Sequence, residues 1–100
     1  NQLPLAIADL DIIRARAGLT KIASTNPNTS QSDLLDAILK ERRSELFTEW
    51  GHRWMDLRRF GKLDAVMSAI KPGWKPAAQL LPIPYSEILV NQNLKQNPGY

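Results

Sequence analysis

The stretch DLLDAILKERRSELFTEWGHRWMDLRRF, residues 33–60, decides the fold of this chain. At about 100° per residue, one quadrant of a helical projection of this stretch collects apolar and charged side chains together. Its members are Leu35, Ile38, Arg42, Leu46, Glu49 and Arg53. The pattern predicts a long amphipathic helix with Arg42 and Glu49 in the middle of its apolar stripe. Gly51 predicts a kink or a restart, after which Leu57 and Phe60 return to the same face.

The N-terminus of this long helix has capping signals. Ser30 or Ser32 can accept a hydrogen bond from the first turn, and Asp33 and Asp36 complement the helix dipole. The helix is therefore expected to begin near Asp33. The preceding residues, Ser24–Ser32, are turn formers without a large apolar side chain, and they predict an exposed loop.

Two other segments have the apolar spacing of helices. Leu5–Ala17 repeats apolar residues at intervals of three and four, and Gly18 is its expected stop. Its polar residues, expected to fill most of the solvent side, are Asp9, Asp11, Arg14 and Arg16. Leu63–Ile70 predicts one more short helix, which Pro72 and Gly73 end.

The C-terminal third is expected to be mostly irregular. Trp74 lies between prolines and belongs to a loop, and Leu80–Pro84 must be extended because residues before proline avoid the helical region. Pro84–Leu89 predicts a single helical turn, and Asn91–Gly99 is a polar tail without a period. The fold class is therefore mainly α, with an extended proline-rich segment and an irregular tail, and no internal repeat or domain boundary is found.

Composition excludes several classes of protein. The chain has 100 residues, a formal net charge of +3 and no cysteine, which excludes disulfides and thiolate metal sites. No apolar run approaches the ~20 residues of a membrane helix. The basic residues between Lys40 and Lys62 alternate with Glu41, Glu45, Glu49 and Asp56. Such mixing favours ion pairs over a nucleic-acid interface.

The charged side chains of the long helix have two interpretations. Carboxylates in a partly apolar setting can carry out acid or base chemistry. The spacing, however, favours a structural network that neutralises itself. The predicted pairs are Glu49 with Arg53, Arg42 with Glu45, and Arg53 with Asp56. Glu49 and Arg53 are expected to be buried in the stripe.

The sequence contains few other residues or motifs that could support catalysis, so no enzymatic activity is predicted. His52 is the single histidine, and the chain has no zinc-binding helix motif, no phosphate-binding glycine loop and no serine nucleophile elbow. No metal and no cofactor are predicted, and His52 is expected to be a packing residue. Trp50 and Trp54 are one helical turn apart and are expected to stack in a core or an interface.

Three stretches together resemble the C-terminal part of the SusD/RagB family of bacterial outer-membrane nutrient-uptake lipoproteins. They read IRARAGL at 13–19, ERRSELFTEWGHRWMDLRR at 41–59, and LPIP at 81–84 followed by Glu87-Ile88 and the ending QNPGY at 96–100. The common family pattern has glycine directly after the third glutamate of the second stretch, where Trp50 stands here. Gln92 stands where the family usually has Asn-Pro-Asn. The motif positions with an implied structural role are Glu41, Arg42, Glu45, Glu49, Arg53, Asp56 and Arg59.

The resemblance implies that residues 1–100 form the C-terminal portion of a single, longer SusD-like domain, truncated at its N-terminal side. It further implies tetratricopeptide-like helix pairs, a lipid anchor on an N-terminal cysteine outside this chain, and exposure at the surface of the outer membrane. Such proteins cover a SusC-like, TonB-dependent transporter and capture glycans or other nutrients without catalysis. The alternative function is a generic helical protein-interaction scaffold without a nutrient ligand, and an enzyme has only the carboxylates in its favour.

Trp74 is the candidate ligand-binding residue. Flanking prolines hold it in a loop, where it could offer a flat face to a sugar ring with polar help from Lys71, Lys75 and Gln79. The competing interpretation is favoured: Trp74 folds back on the helices and anchors Leu80–Pro84.

Overall fold

A computed structural model describes residues 2–100, which form helices joined by turns, with no strand among them. The helices are α1 (Leu3–Arg16), α2 (Ile22–Thr25), α3 (Gln31–Glu45), α4 (His52–Arg59), α5 (Leu63–Ile70), a 3₁₀ helix (Pro76–Gln79) and α6 (Tyr85–Val90). The prediction of a mainly α fold is confirmed. The chain divides into two compact units, the first ending at Arg53 and the second beginning at Trp54.

The core of the first unit lies between α1 and α3. Ile7 and Leu10 of α1 pack with Leu34 of α3, and all three side chains are buried. Half-buried side chains that complete this core are Leu3, Ala6, Ile22, Ala37 and Ile38. α1 ends at Arg16 with Ala17 as its C-cap, and Gly18, which has φ +69°, follows as the predicted stop.

Helix α3 begins as the capping signals indicate. The Ser30 hydroxyl accepts a hydrogen bond from the Asp33 amide at 3.1 Å and donates one to the Asp33 carboxylate at 2.8 Å. Ser30, not Ser32, is therefore the cap, and the helix starts at Gln31. The Ser30 side chain satisfies the Asp33 amide, which is one of the unpaired N–H groups at the start of the helix.

The predicted buried stripe of α3 is wrong in position. Leu35 is exposed, whereas Leu34 and Glu41 are buried. The predicted stripe requires a helix that continues through Glu49, but α3 ends at Glu45 and a turn with two non-glycine residues in the left-handed region follows. Residues beyond Glu45 therefore do not constrain which face of α3 packs against α1.

The loop predicted for Ser24–Ser32 contains structure that its composition does not indicate. Its first residues belong to α2, a single helical turn that packs on α1. Thr29 is buried. The exposed-loop prediction is therefore wrong at both places.

In the second unit, α5 spans the residues predicted for it, and Leu63 and Met67 are buried. α6 (Tyr85–Val90) confirms the helical turn predicted for Pro84–Leu89, with Pro84 at its N-cap. The polar tail has no regular structure, as expected, yet it is fixed to the extended segment. The Gln96 side-chain amide accepts from the Ile83 N–H and donates to the Ile83 carbonyl, both at 2.8 Å. The Tyr100 hydroxyl donates to the Leu80 carbonyl at 2.8 Å.

Candidate functional site

In the first unit, the motif residues Glu41 and Glu45 form ion pairs with another helix. Arg14 of α1 donates to Glu41 of α3 at 2.7 Å, and Arg16 forms an ion pair with Glu45. The predicted pairing of Arg42 with Glu45 placed the partner of Glu45 on the wrong helix. The periodicity of α3 could not reveal this, because the partners lie 27 and 29 residues away in the sequence.

Glu49 is not part of this network. It is exposed and lies in the turn between α3 and α4, outside both helices, so the i,i+4 geometry predicted for it and Arg53 does not form. The prediction that Glu49 is buried is therefore wrong. Arg53 is half-buried, as are Arg42 and the single histidine, His52.

Asp56 and Arg59 are motif positions within the second unit. Asp56 is buried, and its carboxylate lies 3.8 Å from a guanidinium nitrogen of Arg59 one turn later on α4. The Arg59 side chain is otherwise largely exposed. This pair stays within one helix, unlike those of the first unit.

Asp11 is a buried carboxylate that sequence reasoning placed on the solvent side. Its two oxygens accept the backbone N–H groups of Ile22 at 2.6 Å and Ala23 at 3.0 Å. Asp11 therefore caps the N-terminus of α2 from another helix, eleven residues earlier in the chain. A cap from so far away leaves no local sequence signal.

Trp50 and Trp54, which both lie in the stretch at 41–59, do not stack on each other. Trp50 is 93% exposed in the turn after α3, where its φ is +40°. The ring of Trp54 instead meets Trp74 edge-to-face, with centroids 6.0 Å apart and planes at 74°. The stacking prediction is wrong because Trp50 precedes α4 and is not on its helical surface.

Trp74 sits at the end of a hydrogen-bonded turn formed by Lys71, Pro72 and Gly73. The Trp74 N–H donates to the Lys71 carbonyl at 3.1 Å, and Gly73 has φ +83°. Proline followed by a residue with positive φ is the pattern of a type II turn, in which only glycine is comfortable at the second central position. The turn therefore holds the backbone of Trp74 in one direction.

The side chain of Trp74 is fixed from two sides. Its indole N–H donates to one oxygen of Asp64 at 2.9 Å, and the Gln79 amide donates to the other oxygen at 2.6 Å. Trp54 supplies the aromatic contact described above. Trp74 is half-buried and folds back on α4 and α5, leaving part of its surface exposed.

A groove in the first unit is a second candidate site. It encloses about 470 Å³ between α1 and α3, a size typical of small-molecule pockets. Leu10, Ile13, Ile38 and Leu46 form most of its apolar lining, and the Arg16–Glu45 ion pair borders it. The groove offers apolar surface but no polar group that is buried without a partner.

Within residues 2–100, no group of three histidine, aspartate or glutamate side chains is arranged to hold a metal ion. No helix in this described part of the chain is long and apolar enough to cross a lipid bilayer.

Comparison with known proteins gives one family. The model of the SusD family, SusD_RagB, matches residues 1–77. The chain belongs to the SusD family. No curated protein and no solved structure matches it significantly. The matched region contains two of the three stretches that suggested the resemblance, those at 13–19 and 41–59, while the QNPGY ending lies beyond it.

The ion pairs between α1 and α3 connect two of the stretches that resemble the SusD family. The family is one of nutrient-binding proteins that are associated with the outer membrane, and generally without catalysis. The pairs Arg14–Glu41 and Arg16–Glu45 join the first matching stretch to the second. Residues of those two stretches therefore hold α1 against α3.

Proposed function

We propose that this chain is part of the non-catalytic, glycan-binding component of an outer-membrane SusC/SusD-type uptake system. SusD family membership supports the nutrient-binding role. The arrangement around Trp74 supports a sugar as the nutrient, because it combines a fixed aromatic ring with nearby polar side chains.

Trp74 is the residue proposed to contact the glycan. A pyranose places its C–H groups on the face of an indole, and a ring that is already fixed loses little conformational entropy when the sugar binds. Asp64 and Trp54 provide that fixation here. No catalytic role is proposed for any residue of this site, because binding a sugar requires only the ring and hydrogen-bonding groups.

The proposed partner is a SusC-like, TonB-dependent transporter, with membrane attachment through a lipid anchor outside this chain. The test is affinity purification of the tagged full-length protein from its own outer membrane. We expect a β-barrel transporter encoded by a neighbouring gene to co-purify in stoichiometric amount. Recovery of the protein from the outer-membrane fraction without any transporter would contradict the proposed partnership.

A protein-interaction scaffold without a nutrient is the second candidate, and one observation favours it. Phe47 and Trp50 are 72% and 93% exposed in the turn between α3 and α4, and large exposed aromatics are common at protein interfaces. Replacing both with serine separates the two functions. The glycan-binding proposal predicts unchanged sugar affinity in this variant, whereas a pure scaffold would lose its protein partner and show no sugar affinity in the parent protein.

A further inference from the structure

The excess positive charge of this chain lies in its second unit. Residues 1–53 carry seven Lys and Arg and seven Asp and Glu, whereas residues 54–100 carry six basic and three acidic residues. The full formal charge of +3 therefore belongs to the unit that contains Trp74. A field of this sign raises the local concentration of anionic ligands.

Two of these cations flank Trp74. The turn described above brings Lys71 back to Trp74 through a 3.1 Å backbone hydrogen bond, and Lys75 is the next residue in the chain. Both side chains are exposed, and neither ammonium group has an ion-pair or hydrogen-bond partner among residues 2–100.

The carboxylate of Asp64, which holds the Trp74 ring, forms no ion pair with these lysines. Both oxygens of Asp64 accept hydrogen bonds, one from Trp74 and one from Gln79. The only other acidic residues of the second unit are Asp56, which lies by Arg59, and Glu87, which is on α6. The Gln79 side chain donates one hydrogen bond to the same carboxylate, whereas the two lysines that flank Trp74 in the sequence have no partner for their ammonium groups among the described residues.

We infer that the Trp74 loop selects anionic glycans, with a sugar ring on the indole and its carboxylate or sulfate held by Lys71 and Lys75. This inference rests on the proposed function, because it takes Trp74 as the sugar-binding surface. The ring supplies the apolar contact and the lysines supply the charge. A neutral glycan would leave both ammonium groups with water and gain only the stacking contact.

The decisive test compares two hexasaccharides with the same ring and linkage, hexagalacturonate and its full methyl ester, by calorimetric titration into the full-length protein. Esterification removes the charge and keeps the sugar. We expect the acid to bind more tightly, and its affinity to fall between about 50 mM and about 300 mM salt as exposed charges are screened. A sulfated galactan hexasaccharide distinguishes sulfate from carboxylate as the preferred anion.

Lysine variants assign the charge effect to this loop. Lys71→Gln and Lys75→Gln should each weaken hexagalacturonate binding by roughly two- to five-fold, as expected for exposed ion pairs. Lys95→Gln is the matched control, since it removes an equal charge from the same unit at an exposed residue that is not part of the Lys71–Lys75 loop. An equal loss in the control would overturn the inference.

The remaining outcomes separate this inference from the proposed function. Equal affinity for the acid and the ester, lost in Trp74→Ala, would overturn anion selection and leave glycan binding intact. Binding of neither hexasaccharide nor the sulfated galactan would overturn anion selection, whereas the proposed function would fall only if neutral oligosaccharides also failed to bind. Poly-glutamate carries charge without a sugar ring, so binding as tight as that of hexagalacturonate would also overturn the inference.

Discussion

Arg14 and Glu41 form an ion pair that joins α1 to α3, with a guanidinium nitrogen 2.7 Å from a carboxylate oxygen. The Glu41 side chain is 7% exposed, and that of Arg14 is 20% exposed. Arg14 also donates to the Thr20 carbonyl at 2.9 Å, so the same side chain orders the segment after α1. The pair links two stretches that the sequence separates by more than twenty residues.

The two partners should be unequal in their effect on stability. Arg14→Met leaves the buried Glu41 carboxylate without its cation, and we expect a loss of about 3 kcal/mol in the free energy of unfolding. Glu41→Gln should cost less, because Arg14 can turn toward solvent. Urea unfolding of both variants measures the difference.

The pair of Arg16 and Glu45 is the internal control for that prediction. The Arg16 side chain is 70% exposed, so water already solvates it. Arg16→Met should therefore cost less than about 1 kcal/mol. If Arg14→Met and Arg16→Met lowered the free energy of unfolding equally, burial of the Glu41 carboxylate would not be the cause of the larger loss expected for Arg14→Met.

Asp11 should stabilise α2 specifically. Asp11→Ala leaves the N–H groups of Ile22 and Ala23 without their acceptors, and a lost helix cap costs about 1 to 2 kcal/mol. Hydrogen exchange of those two amides should accelerate. Asp9→Ala is the control, since Asp9 is exposed on the same helix; similar exchange in both variants would show that Asp11 is not a cap.

Gln96 should hold the tail against the extended segment. Gln96→Glu keeps an acceptor for the Ile83 N–H but replaces the donor to the Ile83 carbonyl with an oxygen. We expect a loss of about 1 to 2 kcal/mol and faster proteolysis between Leu80 and Pro84. Gln92→Glu makes the same change at an exposed position. Unchanged resistance to proteolysis in Gln96→Glu would show that Gln96 does not hold the tail against the extended segment.

The 100-residue chain by itself should be marginally stable. Large apolar side chains such as Trp50, Leu81 and Val90 are almost fully exposed, so the burial that provides the usual ~5 to 15 kcal/mol is reduced. Thermal unfolding followed by circular dichroism should be broad and begin at moderate temperature. A sharp transition of a monomer at high temperature would contradict this prediction.

Local signals in the sequence predict most of the helices but neither α2 nor the contacts between helices. The periodicity of α1 and α5 and the cap at Ser30 are short-range features, and the structure confirms them. Asp11 and Gln96 act through hydrogen bonds to residues 11 to 13 positions away, which no pattern of neighbours encodes. The face of α3 was misplaced for a related reason, because only its contact with α1 determines which side is buried.

Trp74 is proposed to be a sugar-binding residue, and one calorimetric comparison tests this role most directly. Trp74→Ala and Trp54→Ala each remove one ring of the same edge-to-face pair, so their melting temperatures should fall by similar amounts. At a temperature where both variants are folded, we predict at least a tenfold loss of glycan affinity in Trp74→Ala, as for a tryptophan hot spot, and a much smaller loss in Trp54→Ala. Parental affinity in Trp74→Ala, or equal losses in both variants, would contradict the account and leave Trp74 as a packing residue.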